Sequence, residues 1–276
     1  MTLLRIGDLP DPLVAPVLIV AFDGWVDAAG ASSAAAEFLA DGGRRVATFD
    51  DDVLFDYRSR RPTLDIIDGT LHRLQWPALQ IDHRSMGGRD LLILHGPEPD
   101  FRWKELGDAI GEFCLRVGVV QWVSLGAIPA AVAHTRPVPV LANASRDGLL
   151  HEAETKGPPG LLRVPSAALS SIELPVAEMG VPTVGFYAQV PHYVGGPYTA
   201  ASVSLLHHLS RHLGVEVDVA TLQEEAEGHR QRLDAAVAAD EDVREILTRL
   251  EQTDDELPSG DELAAEIERF LRGQAD

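Results

Sequence analysis

The sequence has little of what announces the commoner site chemistries. Its 276 residues include one cysteine, Cys114, which excludes an internal disulfide and any multi-cysteine zinc or iron–sulfur centre. Lysine occurs twice, at Lys104 and Lys156, and every other basic side chain is arginine. No Walker lysine, G-x-G-x-x-G, nucleophile elbow or H-E-x-x-H motif is present. No run of about 18 apolar residues is available to span a bilayer, and the N-terminus lacks the basic and apolar blocks of a signal peptide. A cytoplasmic protein with no membrane contact is the expectation.

Negative charge, by contrast, is in excess. The formal net charge is -20, which repels phosphate backbones and anionic membrane surfaces at long range and argues against nucleic-acid binding. The excess is uneven: residues 218–276 carry 18 acids and 6 bases, against 25 and 17 over residues 1–217. Every proline but Pro258 also precedes residue 218. Two units follow from this, a core domain over 1–217 and an acidic helical tail over 218–276.

Within the core, β-type runs recur at 46–49, 71–75, 78–81, 91–94, 119–125, 138–142 and 183–187, after a first apolar run at 17–22. Helical patterns at 29–39, 103–117 and 198–213 alternate with many of them. The alternation predicts an α/β fold with a mixed, mainly parallel sheet flanked by helices. The runs at 71–75 and 78–81, separated by Trp76-Pro77, read as an antiparallel hairpin. In the tail, Asp218 is set to cap a first helix, a second centres on Val243 to Leu250, and Ser259-Gly260-Asp261-Glu262 opens a third.

The chemistry-bearing candidates fall just after predicted strands, where open α/β sheets place their ligands. Asp23, Trp25 and Asp27 follow the first apolar run. The paired carboxylates suit a metal or acid–base work, and equally suit capping the next helix. His134 and Arg136 follow the strand at 119–125, with an Arg fork and a titratable His that fit an anion, or a loop satisfying its own backbone. His192 and Tyr193 precede Gly195-Gly196-Pro197, a segment able to present free N–H groups or to serve as a plain turn. His208 and His212 have helical metal-pair spacing but lack the glutamate of a metalloprotease, so exposed or interface histidines are expected and no metal site is assigned. Tyr57, Arg58, Arg60 and Arg61 follow the acidic Asp50-Asp51-Asp52, an arrangement for pairing between opposite charge blocks or for a subunit interface.

Taken in order, Ala21-Phe22-Asp23-Gly24-Trp25-Val26-Asp27-Ala28, Asp56-Tyr57-Arg58-Ser59-Arg60-Arg61-Pro62, His95-Gly96-Pro97-Glu98-Pro99-Asp100, the 134–140 segment His134-Thr135-Arg136-Pro137-Val138-Pro139-Val140, and Val190-Pro191-His192-Tyr193-Val194 resemble the proteasome assembly chaperone family of the second-chaperone type, in its bacterial branch. The resemblance spans about residues 5 to 215. It implies a phosphorylase/hydrolase-like α/β core, a homo-oligomer with a trimer as the expected stoichiometry, and a protein-binding role without cofactors. Proteasome subunits or assembly factors are the implied partners. The hydrophobic-Tyr-X ending used by chaperones of this type to dock on proteasome rings has no counterpart in Arg272-Gly273-Gln274-Ala275-Asp276. The alternative is a phosphorylase- or hydrolase-like enzyme, or a binder of a small anion, that uses Asp23, Asp27, His134, Arg136 and His192.

Overall fold

Val17–Asp23 (β2) is an apolar run because it lies at the middle of a sheet covered on both faces; all but Asp23 are buried. In this computed structural model, which describes residues 3–252, β2 is flanked by two parallel neighbours, Arg89–Pro97 (β7) and Gln121–Ala130 (β8). Thr183–Pro191 (β11) extends the parallel block beside β8. Outside it the sheet turns antiparallel. Leu4–Ile6 (β1), Arg44–Phe49 (β3) and Gln80–Met86 (β6) complete one side in the order β1-β3-β6-β7. On the other side Val140–Ala144 (β9) runs antiparallel to β11, and Thr155–Lys156 (β10) lies parallel to β9. The nine strands form one mixed sheet.

Alternate residues of β2 feed two hydrophobic cores. Val17, Ile19 and Ala21 face a cluster with Ala31–Ala40 (α1) and Thr199–Leu213 (α5), whereas Leu18, Val20 and Phe22 face Trp103–Val117 (α3) and Ala168–Glu178 (α4). The small residues of α1 let it lie close to the sheet, with Ala31, Ser32, Ala35 and Ala36 buried. The α/β/α expectation therefore holds. A one-turn helix, Asp51–Leu54 (α2), follows β3, and α4 carries a proline, Pro175, inside it, so its sequence shows no clean helical punctuation.

The hairpin expected between 71–75 and 78–81 is not formed. Thr70–Gln75 (β5) pairs instead with Thr63–Ile67 (β4), which the sequence reading passed over, while β6 joins the main sheet between β3 and β7. The turn explains the choice. Asp68-Gly69 connects β4 and β5 with positive φ at both residues (49° and 78°), the two-residue hairpin geometry that Asp-Gly favours, whereas Pro77 keeps its segment extended.

Beyond residue 217, Ala220–Ala239 (α6) packs against α5, setting Leu222, Ala226 and Leu233 on the first core cluster. Asp218 accepts the Ala220 N–H (3.1 Å), as a residue at a helix start does. Glu241–Gln252 (α7) follows α6. The third tail helix expected near Leu263 lies outside the described residues.

Candidate functional site

Because β2, β7, β8 and β11 are parallel, their carboxyl ends share one edge, which carries Asp23, Glu98, the loop at 131–139 and His192-Tyr193. Asp27 is taken up by the fold. Its Oδ1 accepts from the Ser32 N–H and hydroxyl (2.7 Å each) and the Ser33 N–H (3.1 Å), and its Oδ2 accepts the Ser33 hydroxyl (2.5 Å). Four bonds on a buried carboxylate make it the cap of α1. Asp23 remains largely exposed, with the Arg60 guanidinium 3.3 Å from its Oδ2 and 2.8 Å from its carbonyl. Arg60 thus ties the 56–62 loop to the end of β2.

Glu98, at the end of β7, organises the turn more than either aspartate does. One of its carboxylate oxygens accepts the Trp25 N–H and the other accepts the Ala168 N–H at the start of α4, both at 2.7 Å. A Cβ at Gly24 would stand 2.3 Å from Glu98 Oε2 and 2.4 Å from its Cβ, so only glycine admits the carboxylate here.

Beside this turn is a cavity of about 230 Å³ lined by Trp25, Ile128, Pro129, Leu141, Leu162 and Val164, with Asn143, Ser170 and Tyr187 as its polar members. Burial pushes the Tyr187 phenol well above its usual range and the nearby Glu173 carboxylate adds to it, against bonds from Asn143 and Ser170. Glu173 is itself raised by burial, although the Ser124 hydroxyl donates to it at 2.6 Å. The lining suits an apolar group and offers no cation for an anion. Of the seven candidate pocket residues Trp25 alone lines it.

His134, His192 and Tyr193 gather elsewhere on the edge. The His134 backbone N–H donates to the Tyr193 hydroxyl oxygen (2.8 Å), which directs the hydroxyl hydrogen to His134 Nδ1 (2.8 Å) and leaves Nε2–H for Asp234 on α6 (3.2 Å). The His134 side chain is fully buried. Burial raises the Tyr193 phenol, opposed by the His134 N–H and reinforced by Glu251. Thr135 donates to Glu251 of α7 (2.7 Å), so two tail acids hold the loop after β8. His192 stands edge-on to Tyr193, 5.6 Å between ring centres. Arg136 lies exposed in the same loop, its N–H bonded to the Ala133 carbonyl. The N–H groups of His192, Val194 and Tyr198 go to the carbonyls of Ala130, Pro191 and Ala29, which leaves those three without a role as an anion cradle.

The charge blocks at 50–61 do not pair as blocks. Arg60 goes to Asp23, Arg58 lies 3.7 Å from Asp56, and Asp50 meets Arg5 at 4.0 Å. Tyr57 is the exception, donating to Asp52 (2.7 Å); burial and that bond push its phenol up to about 12. Arg61 follows in the same loop. Tyr57 also stacks edge-on against Trp76, with ring centres 4.7 Å apart, at the foot of the β4–β5 arm. That arm was not anticipated. It exposes Leu64, Ile66, Ile67, Leu71, Leu74 and Trp76, with Leu71 at 71%. Asp68-Gly69 between alternating apolar residues was the signal that could have found it.

The PAC2 family model matches residues 21–237. The chain belongs to the PAC2 family. Among solved structures it is similar to a Mycobacterium tuberculosis protein of unknown function, with 31% identity, 100% of this chain and 97% of that chain covered, and a TM-score of 0.88. The Mycobacterium tuberculosis proteasome-assembly chaperone homologue is 32% identical over 84% of this chain and 99% of its own, with a TM-score of 0.76. PbaB, an archaeal proteasome activator of Pyrococcus furiosus, shares the fold at 15% identity, 86% and 99% coverage and a TM-score of 0.66. No curated protein sequence matches. The PAC2 match begins within β2 and ends within α6, so it takes in the whole carboxyl edge and the first tail helix. Among the described residues no helix is long and apolar enough to cross a membrane.

Proposed function

We propose that this PAC2 protein is a cytoplasmic, non-enzymatic interaction protein that assembles with copies of itself and assists assembly of a proteasome-like complex. The carrying observation is the β4–β5 arm. A two-stranded hairpin that joins no larger sheet is marginally stable in water, and six large apolar side chains exposed on and beside it favour burial against another chain. Tyr57, Arg58, Arg60 and Arg61 flank its foot, and Arg and Tyr are enriched at such contacts. The name of the 32%-identical Mycobacterium tuberculosis relative supports the chaperone reading. The enzymatic alternative finds little support, since none of Asp23, Asp27, His134, Arg136 and His192 lines the cavity.

The test is light scattering on the purified full chain, with Leu71→Asp and Ile66→Asp alongside, followed by affinity capture from the native host. The expected result is a homo-oligomer, a trimer on this reading, that the charged arm variants dissociate into monomers that keep the far-UV circular dichroism of the wild type. A monomeric wild type, or an oligomer indifferent to both substitutions, removes the arm from the interface. Capture without any proteasome subunit or assembly factor removes the proteasome part.

A further inference from the structure

At the opposite edge of the sheet from the site above, the loop after β9 meets the end of α5 and the start of β8. There His151, Glu154 and His212 come together, with one potential ligand atom from each residue lying within 4.8 Å of the others. We infer that these three side chains bind one divalent transition-metal ion of the zinc class, with a coordination position left for water. Two imidazoles and a carboxylate are a donor set suited to zinc, which takes nitrogen and carboxylate oxygen at about 2.0–2.2 Å in four-coordinate geometry.

The surroundings hold the ligands as a site requires. The Glu154 and His212 side chains are 1% and 3% exposed, so their positions are set by packing, whereas His151 is exposed and leaves a route for the ion. Glu154 Oε2 accepts the His151 backbone N–H (2.7 Å), which aims Oε1 at His212 Nδ1 (2.9 Å). The far nitrogen of His212 faces the Gln121 side-chain amide at 3.0 Å, and His151 Nε2 faces the His212 carbonyl at 3.4 Å. His212 thus has Nε2 engaged by Gln121 and Nδ1 turned to the Glu154 carboxylate, the arrangement by which second-shell groups orient histidine ligands.

On binding, the ion takes the place of the proton between His212 Nδ1 and Glu154 Oε1, and that proton moves to His212 Nε2, where the Gln121 side-chain amide turns its oxygen to accept it. Burial holds the His212 imidazole below its usual range although the Glu154 carboxylate pulls the other way; the charges of His151 and Arg89 lower it further. Arg89 opposes the ion as a positive charge near the site, and the Glu154 carboxylate offsets it. The spacing that drew attention in the sequence, His208 with His212, is not used. His208 Nδ1 faces the Ser204 carbonyl at 2.8 Å, and His212 turns to residues 58 and 61 positions away.

The experiment is titration of the untagged, metal-stripped full chain with Co2+ and separately with Zn2+, read by visible absorption and by calorimetry. One equivalent is expected to bind, with the intense absorption of low-coordinate Co2+ that Zn2+ then displaces. His151→Ala, exposed and therefore safe for folding, is expected to abolish that spectrum, as is Glu154→Gln. Gln121→Ala is expected to weaken binding by roughly 10- to 100-fold, the usual cost of losing an outer partner, and His208→Ala to leave it unchanged. Absence of stoichiometric binding, or binding that His151→Ala does not alter, overturns the inference. The arm variants above do not touch this site, so failure of either proposal leaves the other standing.

Discussion

Asp51 is half-buried at the start of α2, between Asp50 and Asp52, and accepts the Leu79 N–H at 3.0 Å. Burial raises its carboxyl to about 6, with the two neighbouring aspartates adding and the Leu79 bond opposing. A carboxyl whose folded value lies above its unfolded one binds protons more tightly in the native state. Stability therefore falls as pH rises from about 4 to about 6 and is then level. Asp51→Asn keeps an acceptor for Leu79 and removes the ionisation. After discounting for solvent screening it is expected to stabilise the protein by about 1 kcal/mol at pH 7.5, with the gap narrowing at pH 5. Urea midpoints at the two values check this, and a gap that stays constant refutes it. Asp82 and Asp90 behave in the opposite sense. Burial opposes their ionisation, but His95 with Arg45 for Asp82, and Ser85, Val14 and His83 for Asp90, hold both carboxyls below the usual range. The stability they contribute is lost only at more acid pH. The sequence shows only the Asp50 and Asp52 part of the difference between Asp51 and Asp82, because the burial of Asp51 and the His95 and Arg45 partners of Asp82 arise from packing between elements.

At the scale of elements, α6 is held by apolar contacts with α5, by polar contacts of His229 with Thr199 and of Gln223 with His207, and by a latch to the loop after β8, the Tyr193–His134–Asp234 chain. Asp234→Ala leaves the Nε2–H of a buried histidine without its carboxylate, a loss of about 1–2 kcal/mol. Faster amide exchange is expected over residues 220–239 with α5 unchanged, and equal exchange in both proteins would count against the latch. The sequence carried α3 and α5 nearly to the residue, since strong apolar periodicity over four turns is a local property. It did not carry the latch, because Asp234 is one of 18 acids in a segment that reads as uniformly acidic. The misplaced hairpin has the same origin. Two adjacent β-type runs say nothing about whether they pair with each other, and the turn chemistry of Asp68-Gly69 was the better guide.

Across the whole molecule, the question is what residues 218–276 do for the rest. Removing them strips more than half of the acidic excess, but repulsion between exposed charges is screened beyond about 8 Å at physiological salt. Burial of Val219 and Val237 and the packing of Leu222 and Leu233 outweigh it. Truncation at 217 is expected to cost on the order of 3 kcal/mol, read as a lower urea midpoint, and an unchanged midpoint would show that α6 does not stay on α5 in solution. The sequence by itself determined the α/β class, the order of most strands and helices, and the placement of Asp23 at the end of a strand and of His134 and His192 beyond strands. Those follow from apolar runs and periodicities that each segment carries within itself. Only the tertiary structure decided which polar groups meet: Asp23 with Arg60, Glu98 with Trp25 and Ala168, His134 with Asp234, and His151 and Glu154 with His212. Such meetings depend on strand order and register across the sheet, and those are set by the joint packing of both cores, which no single segment specifies.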